Sequence, residues 1–457
     1  MFEFLRRSSP LWRHASFNRL WGAQALSAFG NRITRTAIPI IAVSVLAATP
    51  VEAAILAALS LAPMVLAGLF GGGFVERSNK LRLMVALDLA RFAVVLVAPI
   101  AWYFGLLSFP LLCLIAFASG LASALFANAD VSILPRLVGK EQVVEANSRL
   151  QSTESIAELT GPGVAGVLID LLTAPVAIIA DALTFLWSAF WLFRIPKEAG
   201  AATEEAKAEV QPNALIEKPV SQLTILRQDI VVGFRAIAKR PPLLATLLAM
   251  TIFYLTAGSF AALYTLFMMR ELGLTPSVMG AIISVGGLSA LLGTVVARPL
   301  AKRIGFGPAI TAGFGIAVAG MAMLVPAAYT GGGWSIVFMI AQQLLGDAGF
   351  MIFMILSTSM SQKLLPENEI ARANGFNQAM SGIMMTISIL ASGAIAEAIG
   401  VRTTVVGSAI LGMLGLLPLF APALLRMKEE PSGEAHEAGP GETPVEKALE
   451  AESLSRP

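Results

Sequence analysis

The chain has 457 residues, 56% of them hydrophobic and 14% charged, with 40 Gly, 25 Pro and a mean hydropathy of +0.75. Soluble domains carry about 25% charged residues, so this composition belongs to a protein dissolved in a bilayer and excludes an ordinary cytosolic enzyme. A net charge of +2 excludes a whole-chain basic field for nucleic acid; the lone Cys113 excludes an internal disulfide, and His14 and His436, both in terminal segments, cannot form a His-based metal cluster, so no cofactor is expected.

A helix that crosses about 30 Å of hydrocarbon needs roughly 20 apolar residues. Twelve such stretches follow one another, with charged or Gly/Pro punctuation between them: 17–46, 52–75, 82–104, 108–135, 146–170, 174–194, 243–269, 276–300, 306–328, 333–362, 370–397 and 402–425. Helices are predicted because these runs exceed the ~10 residues of a barrel strand, and lipid-exposed backbone must satisfy its own hydrogen bonds.

In chain order, residues 1–16 form a short segment with Arg6, Arg7 and Arg13. The apolar run that follows is too long for the core of a cleavable signal and lacks a small-residue cleavage site. Beyond it, the loops alternate in charge. One set holds Arg77, Lys80, Arg82, Arg136, Lys140, Arg149, Arg298, Lys302, Arg303, Lys363 and Arg372; the opposite set holds only Arg270 and Arg402. Short cytoplasmic loops are rich in Lys and Arg, and an odd error in the number of spans would scramble this alternation, so both termini are expected in the cytoplasm. The reading yields an N-terminal bundle over 17–194, a polar cytoplasmic linker over 195–242, a C-terminal bundle over 243–426 and a tail over 427–457. The linker holds Glu204, Glu205, Lys207, Glu209 and Lys218, and its stretch from Leu226 to Lys239 has the spacing of a surface helix. The tail, rich in Glu, Pro, Gly and Ala, is expected to be disordered.

The strongest organisational signal is an internal repeat at an offset of 227 residues. Leu137, Ala146, Asn147, Gln151, Ile156 and Gly166 align with Leu364, Ala373, Asn374, Gln378, Ile383 and Gly393, and Asp170 and Glu397 stand four residues past the shared Gly. Together with the six-plus-six count, the repeat predicts an all-α membrane protein: twelve transmembrane helices in two pseudo-symmetric six-helix bundles. Parallel halves of this kind hold a substrate near the midplane between them and rock to expose it to each side, so the function at this level is transport.

The loop after the second span reads Gly72-Gly73-Phe74-Val75-Glu76-Arg77-Ser78-Asn79-Lys80 and resembles the G-x-x-x-D-R-x-G-R signature of the major facilitator superfamily, with Glu76 at the usual Asp and Asn79 at the second Gly. Span five carries Gly161-Pro162-Gly163-Val164-Ala165-Gly166, similar to the Gly-Pro signature of the superfamily's antiporters. Phe17-Asn18-Arg19-Leu20-Trp21, Ser27-Ala28-Phe29-Gly30-Asn31 and Ala146-Asn147 resemble the branch of macrolide-efflux and enterobactin-exporter proteins. The resemblance covers about Phe17 to Leu425. It implies a secondary exporter, driven by proton antiport, of a drug-like or siderophore-like amphipathic compound, monomeric and in a bacterial inner membrane. A carrier of organic anions or lysophospholipids is the alternative. An enzyme is disfavoured, since neither HExxH nor GxSxG occurs.

Charged side chains inside a span cost about 2.5–3.5 kcal/mol each, so each needs a reason. Arg32 and Arg35 share one face of span one, and Glu154 and Glu158 one face of span five. Two readings stay open: a structural ion-pair network between these spans, or a proton-exchanging carboxylate for which an arginine or an anionic substrate competes. Asp130 in span four and Asp347 in span ten are further proton-coupling candidates, because those spans line the cavity in proteins the sequence resembles. Asp181 is expected to bond to backbone or hydroxyls. Asp88 and Arg91, three apart, are expected to pair within their helix or to join Gly72, Glu76, Arg77 and Lys80 in a cytoplasmic latch. Gly161, Pro162 and Gly166 thin and bend span five. Asn31 stands where branch members often have Asp and joins Arg32 and Arg35 as a substrate-binding candidate. Met351, Met354, Met360, Met380, Met384 and Met385, with Phe253, Tyr254, Phe260 and Tyr264, are either core or the wall of a cavity for apolar ligands; of these Met354, Tyr254, Phe260 and Tyr264 are the substrate candidates.

Overall fold

A computed structural model describes residues 11, 14–68, 72–196 and 222–429. Arg6, Arg7 and Arg13, the linker charges from Glu204 to Lys218, and the tail with His436 lie outside the described residues. The helices of the two bundles are α1 (Ala15–Ser44), α2 (Pro50–Leu66), α3 (Lys80–Tyr103), α4 (Phe109–Val138), α5 (Val143–Leu172), α6 (Ala174–Phe193), α7 (Pro241–Leu266), α8 (Pro276–Ile304), α9 (Phe306–Ala322), α10 (Gly333–Leu364), α11 (Glu367–Ile399) and α12 (Val401–Gly412), and a further helix over Gln222–Ala238 precedes α7. A π-turn over Phe267–Glu271 extends α7, a short helix over Leu324–Tyr329 extends α9, and a 3-10 segment over Met413–Phe420 extends α12.

Among the described residues ten of these runs are long and apolar enough to cross a membrane, which makes the chain a multi-pass membrane protein. Pro50–Leu66 is apolar but has 17 residues, and α1, with 30, is diluted by Arg19, Asn31, Arg32 and Arg35. Of the stretch 52–75, α2 and a short helix over Gly72–Arg77 are helical, and residues 69–71 lie outside the described residues. One expected span breaks before its end. The stretch 402–425 breaks at Ala421, between Pro418 and Pro422, which cannot donate to the helical ladder.

Local signals set the helix starts. Thr49 and Glu52 form a reciprocal capping box at α2, with Pro50 at its first position. Asn79 accepts from the Arg82 N–H at α3, and His14 Nδ1 accepts from the Phe17 N–H at 3.2 Å, so this histidine is a cap.

The two sets of six helices pack by one scheme. In the first set α1 lies on α5 and α6, α3 on α4 and α6, and α2 on α4; in the second α7 lies on α11 and α12, α9 on α10 and α12, and α8 on α10. The halves meet where α5 packs on α8 and α2 on α11, two contacts that the 227-residue offset exchanges. Both seams close on the glycines shared by the repeat. A Cβ at Gly166 would lie 2.3 Å from the Pro276 carbonyl oxygen at the start of α8. One at Gly393 would lie 2.4 Å from Ala54 Cβ and 3.1 Å from the Pro50 carbonyl oxygen at the start of α2.

Helix parity puts the first and last described residues at one end of the molecule, the terminal end, and the α1–α2, α5–α6, α7–α8 and α11–α12 turns at the far end. At the far end a single apolar core runs through both halves, from Ile41, Ala54 and Ile169 to Leu263, Met279 and Ala396. Toward the terminal end it divides in two, one body around Phe17, Met84 and Ile133 and another around Phe314, Phe353 and Phe376. Two of the hydrogen bonds that join the halves lie at the far end: the Arg270 Nη2 donates to the Val43 carbonyl at 3.1 Å, and the Ser277 N–H donates to Asp170 Oδ2 at 3.0 Å. The space between the halves therefore opens toward the terminal end.

Candidate functional site

The site is built where α1 crosses α5. Gly161 leaves room for the Arg32 stem, since a Cβ there would meet Arg32 Cβ at 2.6 Å. Arg32, with 14% of its side chain exposed, reaches Glu154 Oε1 at 2.5 Å through Nη2 and Glu158 Oε1 at 3.4 Å through Nη1. The carboxylates are wetter, at 47% and 65%. A guanidinium shared by two carboxylates one turn apart is the geometry the i, i+4 spacing allows.

Arg35, one turn further along α1, is exposed and lies within electrostatic reach of Arg32, Glu154 and Glu158, but closes no ion pair among the described residues. α5 and α6 cover two sides of α1, and from a third Gln24 reaches Asp130 of α4. Asp130 is thus tied to Gln24 by a hydrogen bond. Gln24 escaped the sequence reading, although its spacing of 7 and 11 residues from Asn31 and Arg35 puts all three on one helical face.

The second half carries an aromatic and amide cluster. Phe253 of α7 stacks on Phe350 of α10 with centroids 4.7 Å apart, and Tyr254 sits beside Phe253 and Ser381. The Tyr264 hydroxyl donates to Gln342 Oε1 at 3.0 Å. Asp347 lies one turn from Gln343 on α10, and both press on Gly286 of α8, where a Cβ would be 2.1 Å from Asp347 Oδ2. Asp347 makes no ion pair among the described residues. Met354 and Met380 are half-buried against the terminal-end core, whereas Phe260 packs on the far-end core and Met360 is fully buried. Gln342, Gln343 and Gly286 were not singled out by sequence.

Several expected groupings do not form. Asp88 and Arg91 do not join the latch. They form a buried pair inside the first half, with Arg91 held 4.4 Å from the Phe126 and Phe185 rings, because the i, i+3 spacing turns both toward α4 and α6. In the loop motif Gly72 begins the short helix, Glu76 and Arg77 are exposed, and buried Lys80 donates to the Glu76 carbonyl at 2.8 Å. The bend motif divides its work: Gly161 receives Arg32, while Pro162 and Gly166 face α8, where the Gly163 N–H donates to Ser284 Oγ at 3.1 Å. Beside that seam lies an apolar groove lined by Thr160, Val164, Val167, Val285 and Leu288.

Comparison with known proteins gives this arrangement a context. The family model described as Major Facilitator Superfamily matches residues 20–388. An uncharacterised MFS-type transporter of Bacillus subtilis (strain 168), YvqJ, is 22% identical over 277 residues; the match covers 60% of this chain and 63% of that relative's length. Among solved structures, a bacterial homologue of the iron transporter ferroportin in an inward-facing state superposes with a TM-score of 0.67 at 17% identity, covering 90% of this chain and 98% of that one. A bacterial homologue of the human lysosomal transporter Spinster, inward-facing and occupied, gives 0.67 at 12% identity, covering 93% and 100%. A nucleoside transporter, NupG, gives 0.65 at 12% identity, covering 89% and 99%. At such identities these likenesses speak for the fold.

Proposed function

The chain belongs to the major facilitator superfamily, as a membrane transporter and not an enzyme, and on that premise we propose that it is a proton-coupled exporter of an amphipathic, drug-like or siderophore-like compound. In this reading all twelve helices cross a bacterial inner membrane, α1 and α2 included, with both termini and the basic loops in the cytoplasm. The terminal end is then the cytoplasmic end, and the space between the halves takes substrate from that side.

What supports the proposal is that the two halves carry chemically unlike side chains, which in this reading form the two walls of the inter-half space. Arg32, Arg35, Glu154 and Glu158 line the first half, while Phe253, Tyr254, Phe350 and Met354 belong to the second. An amphipathic solute fits such a pair of walls, with its polar group at the arginines and its apolar body on rings and thioethers. Glu158, the more exposed and more distant partner of Arg32, is the carboxylate best placed to exchange a proton, and Asp347, without a cationic partner, is the second. In proteoliposomes with an imposed pH gradient, Glu158→Gln or Asp347→Asn should abolish gradient-driven efflux of a macrolide or a catecholate siderophore while leaving the protein folded. Full activity in both variants overturns the assignment.

The unengaged Arg35 favours a second reading, a carrier of organic anions or lysophospholipids. A thermal-shift screen across siderophores, macrolides and lysolipids separates the two. Stabilisation by anionic ligands alone, lost in Arg35→Gln, selects the second.

A further inference from the structure

A second set of charges lies within the first half, away from the space between the halves. Asp88 and Arg91 of α3 and Asp181 of α6 are at most 2% exposed, surrounded by Thr34 of α1, Thr184 and Ser188 of α6, and Ser123 of α4. Arg91 is hydrogen-bonded to Asp88 Oδ1 and enclosed by the Phe126 and Phe185 rings. Asp181 lies within electrostatic reach of Arg91 but makes no ion pair with it; Oδ1 accepts from the Thr184 hydroxyl at 3.2 Å. Among the described residues Asp88 Oδ2, Asp181 Oδ2, Thr34 Oγ1 and Ser188 Oγ are buried and close no hydrogen bond within 3.5 Å, although Ser188 stands near enough to Asp88, and Thr34 to Asp181, to act on its carboxylate.

The charge count is unbalanced. Two carboxylates face one guanidinium, and the polar neighbours supplied by α1 and α4 are uncharged hydroxyls. An unbalanced negative charge in the dry interior of a helix bundle is costly, so one positive charge is missing. Packing limits what can supply it. A Cβ at Gly30 would already lie 2.3 Å from both Asp181 Oδ1 and Thr184 Oγ1, which leaves no room there for a metal cation with its shell of oxygens. A proton needs no volume, and it turns an acceptor-only carboxylate into an acid whose O–H can donate to an orphan oxygen such as Thr34 Oγ1.

We propose that Asp88, Arg91 and Asp181 form a proton-binding site inside the N-terminal half, with the proton resting on Asp181 while Arg91 holds Asp88 as its ionised partner. Gly30 and Thr34 place α1 against this site, and the same helix carries Arg32 and Arg35 on its other side. Release of the proton puts a bare charge at the α1–α6 contact and loosens it, which links the site to the helix that lines the inter-half space. The inference does not rest on the transport reading, because its test needs no substrate.

The experiment is infrared difference spectroscopy at neutral pH on the full chain in lipid nanodiscs, with isotopically labelled aspartate. Wild type minus Asp181→Asn should show the loss of one protonated-carboxyl carbonyl band and no loss of a carboxylate band. Asp88→Asn should lose the same kind of band, since Asp181 then ionises against Arg91, and it carries the test should Asp181→Asn not fold. Arg91→Gln should gain one such band. Loss of a carboxylate band instead in Asp181→Asn, or no change in the protonated-carboxyl region in either Asn variant, overturns the proposal. So does a sodium-specific rise in melting temperature, measured against choline, that wild type shows and Asp181→Asn lacks.

Discussion

Replacing Gly166 by Ala adds one methyl group at the α5–α8 seam and tests whether the halves move as rigid bodies. The new Cβ would stand 2.3 Å from the Pro276 carbonyl oxygen, 2.9 Å from its carbon and 2.9 Å from Ser277 Cα. These are backbone atoms, so no rotamer change relieves the contact, and overpacking of this kind costs about 1–3 kcal/mol. The penalty falls only on the arrangement closed at the far end, so it should shift the balance between closed and open by roughly 5- to 150-fold toward opening. The reporter belongs at the other seam. Val51, whose Cα a Cβ at Gly393 would approach to 3.3 Å, is replaced by Cys in a Cys113→Ser background, and its alkylation from the far side is timed in membranes. If α5–α8 and α2–α11 open together, Gly166→Ala accelerates labelling at Val51→Cys within that range. Unchanged labelling there, with Ser277→Cys becoming reactive, would show local distortion in place of rocking and refute the reasoning.

Arg270→Ala removes the donor to the Val43 carbonyl and should also raise far-end labelling, by an amount comparable with Gly166→Ala, since a single hydrogen bond from a charged group contributes about 1.5–3 kcal/mol. Tyr264→Phe frees Gln342 Oε1 and should lower stability by about 0.5–1.5 kcal/mol, read as a fall in melting temperature in detergent; an unchanged value means water already satisfies that amide. Arg32→Met keeps the stem over Gly161 but leaves Glu154 and Glu158 facing each other, so it should destabilise more than Glu158→Gln does, and adding Glu154→Gln to it should restore part of the loss.

Much of the frame could be read from sequence because bilayer solvation leaves few alternatives. Apolar run length, basic-loop alternation and the repeat all report the same constraint, and Gly166 and Gly393 were visible as matched positions before their seams were. What stayed hidden depends on direction around a helix. The spacing of Asp88 and Arg91 allowed a latch as readily as an internal pair, and only the packing of α3 against α6 turns them inward. Gln24 and Gln342 passed unnoticed because neutral amides carry no charge to single them out inside a span, although each bonds a candidate residue.

The duplication constrains the backbone far more than the chemistry placed on it. The crossing of α1 over α5 at Arg32 and Gly161 corresponds to that of α7 over α11 at Gly258 and Ser388, where a Cβ on Gly258 would meet Ser388 Cβ at 2.5 Å. In both crossings a glycine permits the approach, but the partner is a guanidinium in one copy and a hydroxymethyl group in the other, and the glycine has changed helices. The first crossing is therefore held by a charged contact that water, protons or an anion can weaken, and the second by packing that they cannot. A rocking carrier built this way has one half whose internal fit responds to what enters the space between the halves and one that serves as a fixed wall. Substrate-dependent changes in hydrogen exchange should accordingly concentrate in α1 and α5 and leave α7 and α11 protected; the reverse distribution would contradict this division of labour.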